Sequence, residues 1–212
     1  SIHNPYGDKT DKELYRIVKS IVESLIDRGC VAVVIACNTA SAKCVKRLRE
    51  EYKTILFIAI EPAYKMVHDY NFEGKTLVLA TKGTIESEKF LALYHKYDNH
   101  KTILHSCVGL AELIEKNDEK ELDVYLKNTL GKYKGVENVV LGCTHYPLIK
   151  DKLKKVLGDV QFFDGSVGVA KELKRQLESH KLLKKEDFSL EFIDTSQDKK
   201  KEQRFYTLLD QE

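Results

Sequence analysis

The 212-residue chain lacks several features that would fix its class at once. It has no long apolar run, whereas a membrane-spanning helix needs about 20 consecutive apolar residues. Ser1–Thr10 is polar and unlike an export signal. Neither sign of charge dominates: 35 Lys+Arg against 33 Asp+Glu leave a net +2. That balance gives no warrant for nucleic-acid binding, and the short basic run Lys199–Lys201 reads as a helix start or a solvated face. The five cysteines are irregularly spaced and contain no CxxC pair. Without an export signal they read as reduced thiols of a cytoplasmic protein. There is no GxGxxG, no P-loop and no lysine signature for pyridoxal phosphate, so no cofactor is expected.

What is present is a core-forming composition, 42% hydrophobic, in alternating strand and helix patterns. Asp11–Arg28 reads as a helix, with Leu14, Ile17, Val18, Ile21 and Leu25 on one stripe and Thr10 and Glu13 as a capping box. Strands are expected at Val31–Ala36, Ile55–Ile60, Thr76–Ala80, Thr102–His105, Val139–Gly142, Val160–Phe163 and Ser189–Ile193. Helices are expected at Ala40–Glu51, from Pro62 to about Tyr70, from Thr84 to about Tyr97, and at Ala111–Lys116 and Glu119–Tyr133. Further helices follow at Leu148–Val156, Val167–His180 and Lys201–Leu209. Such alternation predicts an α/β fold with mainly parallel sheets.

One pattern occurs twice. Val139-Val140-Leu141-Gly142-Cys143-Thr144 runs parallel to Val33-Val34-Ile35-Ala36-Cys37-Asn38. Each is a buried strand that stops at a cysteine and a small polar residue, where open α/β sheets place their ligands. Two pseudo-symmetric α/β domains facing each other would bring both thiols to one cleft. In the later half a strand ending at Thr81 precedes the cysteine strand. Its equivalent in the earlier half would fall before Ser1, so the chain reads as lacking its first strand.

A lone cysteine at a strand end is commonly an inert packing residue. A matched pair has other uses. Each lies near a helix N-terminus, which favours a thiolate. His145 lies two residues past Cys143, so an extended chain would turn both side chains the same way. Two opposed thiols fit a disulfide switch, a zinc site made of Cys37, Cys143 and His145, or a two-base proton transfer. The last fits best: one thiolate removes a proton from a carbon and the other thiol returns one to the opposite face, inverting a stereocentre. The substrate would carry an acidified C–H beside a carboxylate, bound by polar side chains and helix N-termini.

The motifs Pro5-Tyr6-Gly7-Asp8-Lys9, Ala36-Cys37-Asn38-Thr39-Ala40-Ser41-Ala42, Thr81-Lys82-Gly83-Thr84 and Gly142-Cys143-Thr144-His145-Tyr146-Pro147-Leu148 resemble those of the aspartate/glutamate racemase family, in its glutamate racemase branch. The resemblance covers essentially the whole chain. It implies cofactor-independent interconversion of L- and D-glutamate, supplying D-glutamate for peptidoglycan in the cytoplasm. It implies Cys37 as base toward the D-isomer, Cys143 toward the L-isomer and His145 as support for Cys143. Pro5, Tyr6, Gly7, Asn38, Thr39, Thr81, Thr84 and Thr144 would bind substrate. It also implies one domain from residues 1–60 with 165–212, a second from 61–164, the site between them, and a homodimer; no metal, nucleic acid or membrane is expected. An acidic residue stands where His145 does in related aspartate racemases, so aspartate is the less favoured substrate. The family's N-terminal Asp-Ser-Gly strand is absent, and Asp8 does not replace it; glutamate binding without turnover is the alternative. The segment Cys107–Glu115 matches a family segment without its two prolines.

Overall fold

A computed structural model describes residues 6–7, 9–70, 73–183 and 188–210. The first helix, α1 (Asp11–Asp27), starts where Thr10 accepts a hydrogen bond from the Glu13 amide at 3.3 Å. It buries Leu14, Ile17, Val18 and Val22. Of the expected stripe, Ile21 is 39% exposed and Val22 takes its place at 2%. The helix packs on α2 (Asn38–Glu51), which lies between two parallel strands, β1 (Ala32–Ile35) and β2 (Leu56–Ala59). Val33, Ile35 and Phe57 from the strands meet Leu14, Val18, Cys44, Val45 and Leu48 from the helices in one core.

The second sheet has the order β4-β3-β5-β6 and every pairing is parallel. Its strands are β3 (Thr76–Ala80), β4 (Thr102–Ser106), β5 (Asn138–Gly142) and β6 (Gln161–Phe163). β3 and β5 are central and buried along their whole length, as their unbroken apolar runs require. Helices cover both faces. α6 (Leu110–Lys116), α7 (Glu119–Leu130) and α8 (Lys150–Leu157) pack on Leu77, Leu79, Val139 and Leu141. α3 (Tyr64–Asp69) and α5 (Glu88–Tyr97) pack on Val78, Val140 and Phe163. At β5 the chain leaves no room for a side chain on Gly142: a Cβ there would stand 2.8 Å from Ala80 Cβ and 3.0 Å from Leu79 O.

Several expected elements shift for local reasons. The helix expected after Thr81 divides into α4 (Lys82–Ile85) and α5, because Ser87 donates to Thr84 O at 2.7 Å and accepts from the Phe90 amide at 3.2 Å, capping a new helix. The helix after Cys143 opens as a 3₁₀ turn, Tyr146–Ile149, with Pro147 in its first turn, before α8. The strand expected at Ser189–Ile193 is not one. Residues 188–193 form no ladder, and their apolar side chains are largely in solvent, Phe188 by 87%. Apolar alternation makes a strand only where a neighbouring strand pairs with it. This segment follows α9 (Ser166–Ser179), which lies on β1 and β2, and leads to the last helix, α10 (Lys199–Leu209).

Candidate active site

Both cysteine motifs end at one cavity of about 480 Å³. Its wall contains Tyr6, Gly7, Cys37, Asn38, Thr39, Thr81, Cys143, Thr144 and His145. The parallel strands β1 and β5 stop at Ile35 and Gly142, and the cysteines follow within two residues. Thr144 Oγ1 donates to Ala36 O at 3.1 Å, so the end of one sheet is hydrogen-bonded to the end of the other. Pro5 and Asp8 lie outside the described residues.

The two thiols have different surroundings. Cys37 is the N-cap of α2. Burial pushes its thiol up; the amides of Ala40 and Thr39 at the helix start pull the other way. Cys143 has no α-helix directly behind it, since the 3₁₀ turn intervenes. Its partner is His145, whose Nδ1 lies 3.6 Å from Cys143 Sγ. The chain reaches that contact by turning, with the Tyr146 amide bonded to Cys143 O at 3.1 Å, rather than by staying extended. His145 Nε2 in turn meets Glu115 Oε1 at 2.7 Å. Burial alone would lower the imidazole, yet the hydrogen bonds to Cys143 and Glu115, with their charges, raise it to about 9. Glu115 is held below its usual range, mainly by its hydrogen bond to His145. The three groups form a carboxylate–imidazole–thiol relay.

Three hydroxyls close a ring beside the cavity: Thr39 to Thr81 at 2.8 Å, Thr81 to Thr84 at 3.0 Å, and Thr39 to Thr84 at 3.2 Å. Thr84 is fully buried and stands behind Thr39 and Thr81 instead of in the wall. Gly83 lets the β3–α4 turn approach, since a Cβ there would lie 2.9 Å from Gly7 O. Asn38 is buried, and its Oδ1 has no hydrogen-bond partner among the described residues although the residue lines the cavity.

The sequence reading named the thiols, His145 and most of the wall. It gave no role to Glu115, Glu112, Lys116 or Lys201, which also line the cavity. The available signal for Glu115 was its place at the end of the Cys107–Glu115 segment. Among the described residues no three His, Cys, Asp or Glu side chains converge to hold a metal. All five cysteines are free. Cys44 and Cys107 are packing thiols, each pushed up to about 12, chiefly by burial. No helix among the described residues is long and apolar enough to cross a membrane.

Comparison with known proteins gives the chain a family. The Asp/Glu/Hydantoin racemase family model matches residues 2–173. A glutamate racemase of Clostridium perfringens is 40% identical over 94% of this chain, which covers 80% of that protein. One from Clostridium botulinum is 41% identical over 86% of the chain and 73% of its own length. Among solved structures, the glutamate racemase of Francisella tularensis in complex with D-glutamate superposes with a TM-score of 0.73 at 29% identity, over 88% of this chain and 72% of that one. The Escherichia coli glutamate racemase in complex with L-glutamate and the activator UDP-MurNAc-Ala gives 0.75 at 27% identity, over 84% and 70%. With two strand-end cysteines on one cavity and these relatives, the chain belongs to the Asp/Glu/hydantoin racemase family and is by class an amino-acid racemase.

Proposed function

We propose that the chain interconverts L- and D-glutamate by two-base proton transfer. The observation that carries this reading is the cavity itself. Cys37 and Cys143 line it from different sheets, one backed by a helix N-terminus and the other by the His145–Glu115 pair. In the direction from L-glutamate, the Cys143 thiolate takes the Cα proton. The electron pair spreads into the α-carboxylate, and the Cys37 thiol gives its proton to the opposite face. D-Glutamate leaves a Cys143 thiol and a Cys37 thiolate, and the reverse reaction starts from that state. His145, as imidazolium, stabilises the Cys143 thiolate and follows its charge. The unpartnered Asn38 Oδ1 is an acceptor for the substrate ammonium. The N-terminus of α2 suits a carboxylate.

The remaining parts of the reading follow the family. Tyr6, Gly7, Thr39, Thr81 and Thr144 contact substrate, with Pro5 beside them and Thr84 supporting the wall. Residues 1–60 with 165–212 form one domain and 61–164 the other. The product serves peptidoglycan synthesis in the cytoplasm, and the protein pairs as a homodimer. A second reading, glutamate binding without turnover, is favoured by one observation. Among the described residues no histidine–carboxylate pair is hydrogen-bonded to Cys37 as one is to Cys143.

The test is incubation with L- and D-glutamate, and with L-aspartate for comparison, in deuterium oxide. The α-proton is followed by NMR. Deuterium entering Cα with inversion, lost in both Cys37→Ser and Cys143→Ser, is the expected result. A folded chain that binds glutamate and exchanges nothing would establish the second reading, and preference for aspartate would reassign the substrate.

A further inference from the structure

The catalytic pair on the Cys143 side is held from an unexpected direction. α10 is anchored on the far side of the cavity: Glu191 in the segment before it pairs with Arg28 after α1 at 3.1 Å, and Phe192 stacks on Phe205 of α10 at 4.8 Å. None of α10's side chains is fully buried, so few contacts decide where it sits. The best defined of them is Arg204. Its Nη1 donates to Glu115 O at 2.8 Å and its Nη2 to Ile114 O at 2.9 Å. α6 ends at Lys116, with Asn117 left-handed at φ 57°. The carbonyls of a helix's last turn lack their usual intrahelical partners; here Ile114 O also accepts from the Asn117 amide at 3.2 Å, so Arg204 adds to a turn that is already capped. A planar guanidinium that donates to two of these carbonyls fixes both the position and the rotation of that turn.

Glu115 carries one of those carbonyls, and its carboxylate is the group bonded to His145 Nε2. We propose that Arg204 is a positioning residue: by bridging the C-terminal turn of α6, it sets Glu115 so that His145 stays turned toward Cys143. Lys201, one turn earlier on α10, lines the cavity, so the same helix also contributes to the wall. The expected effect on turnover rests on the two-thiol reading above; the expected effect on the imidazole does not.

Arg204 could act on His145 in two ways, and they have opposite signs. As a bare cation it would disfavour the imidazolium, so that its removal would raise the imidazole pKa. As a positioning residue it keeps a carboxylate on the imidazolium, so that its removal would lower it. The groups that set this titration are the Cys143 thiol from the same segment, Glu115 from α6, and Lys201 and Arg204 from α10, both acting on Glu115.

The test is a pH titration of the His145 ring by NMR in the unliganded chain, with Arg204→Met, Arg204→Lys and Glu115→Gln. The expected result is a midpoint in Arg204→Met about one pH unit or more below the parent, toward the ordinary imidazole value and in the direction of Glu115→Gln. Arg204→Lys keeps the charge but cannot bridge two carbonyls, and it should fall between; it is read alone if the methionine variant does not fold. Turnover should drop roughly ten-fold with KM little changed. A folded variant whose midpoint is unmoved or raised overturns the assignment. A lowered midpoint in a chain that never racemises glutamate leaves Arg204's role standing and removes the racemase reading alone.

Discussion

At the scale of single residues, the chemistry depends on which neighbour each thiol was given. Cys37 received a helix start, which is visible in the sequence as Asn38-Thr39-Ala40 before a helical run. Cys143 received His145, also visible two residues away. The carboxylate that completes the relay was not legible, because Glu115 comes from α6 and joins only when α6 and the turn after β5 pack together. The pair makes a pH prediction. His145 rises from 6.5 to about 9 in the folded chain, so its contribution to stability is whole below 6.5 and is lost as the pH climbs through 9. Glu115 is lowered from 4.5, so its share is present above that value and fades as the pH falls through the depressed one. With Glu115 side-chain exposure at 41%, screening reduces the pair to on the order of 2 kcal/mol. Denaturant melts from pH 6 to 10 should show stability declining over 6.5–9, and His145→Gln should flatten that slope.

At the scale of elements, the strands were the most legible part. β3 and β5 are buried at every residue and carry unbroken apolar runs because both faces are covered, and a period of two has nothing to show there. Leu79→Ala, in the middle of β3 and fully buried, should cost about 3 kcal/mol in chemical denaturation. Val124→Ala, on the exposed face of α7, should stay within about 0.5 kcal/mol. Gly142→Ala should cost both stability and activity, since the added methyl would press β5 away from Ala80 just before Cys143. Element boundaries were less legible. Ser87 breaks the α4–α5 run through one side-chain cap, and a helical pattern alone does not show whether a serine caps or merely faces solvent. The absent strand at 188–193 is the reverse case: its pattern suits a strand, and nothing in a one-dimensional pattern reports whether a partner strand lies beside it.

At the scale of the whole molecule, the repeated strand–cysteine pattern was enough to place two sheets end to end. It did not show how they are fastened. Two of the seams are Thr144 bonded to Ala36 O and the ring of Thr39, Thr81 and Thr84. Thr144→Val should remove about 1 kcal/mol and raise KM more than it lowers kcat, because it loosens the cavity without touching either thiol. The ring has a further consequence. Each hydroxyl owns one hydrogen, and a closed ring of three uses all of them internally. Thr39, however, is also hydrogen-bonded to Cys37, so the ring and the thiol compete for its one hydrogen. Thr39 comes from the β1–β2 side and the other two from the β3 side, so any parting of the sheets opens the ring and leaves the Thr39 hydroxyl to Cys37.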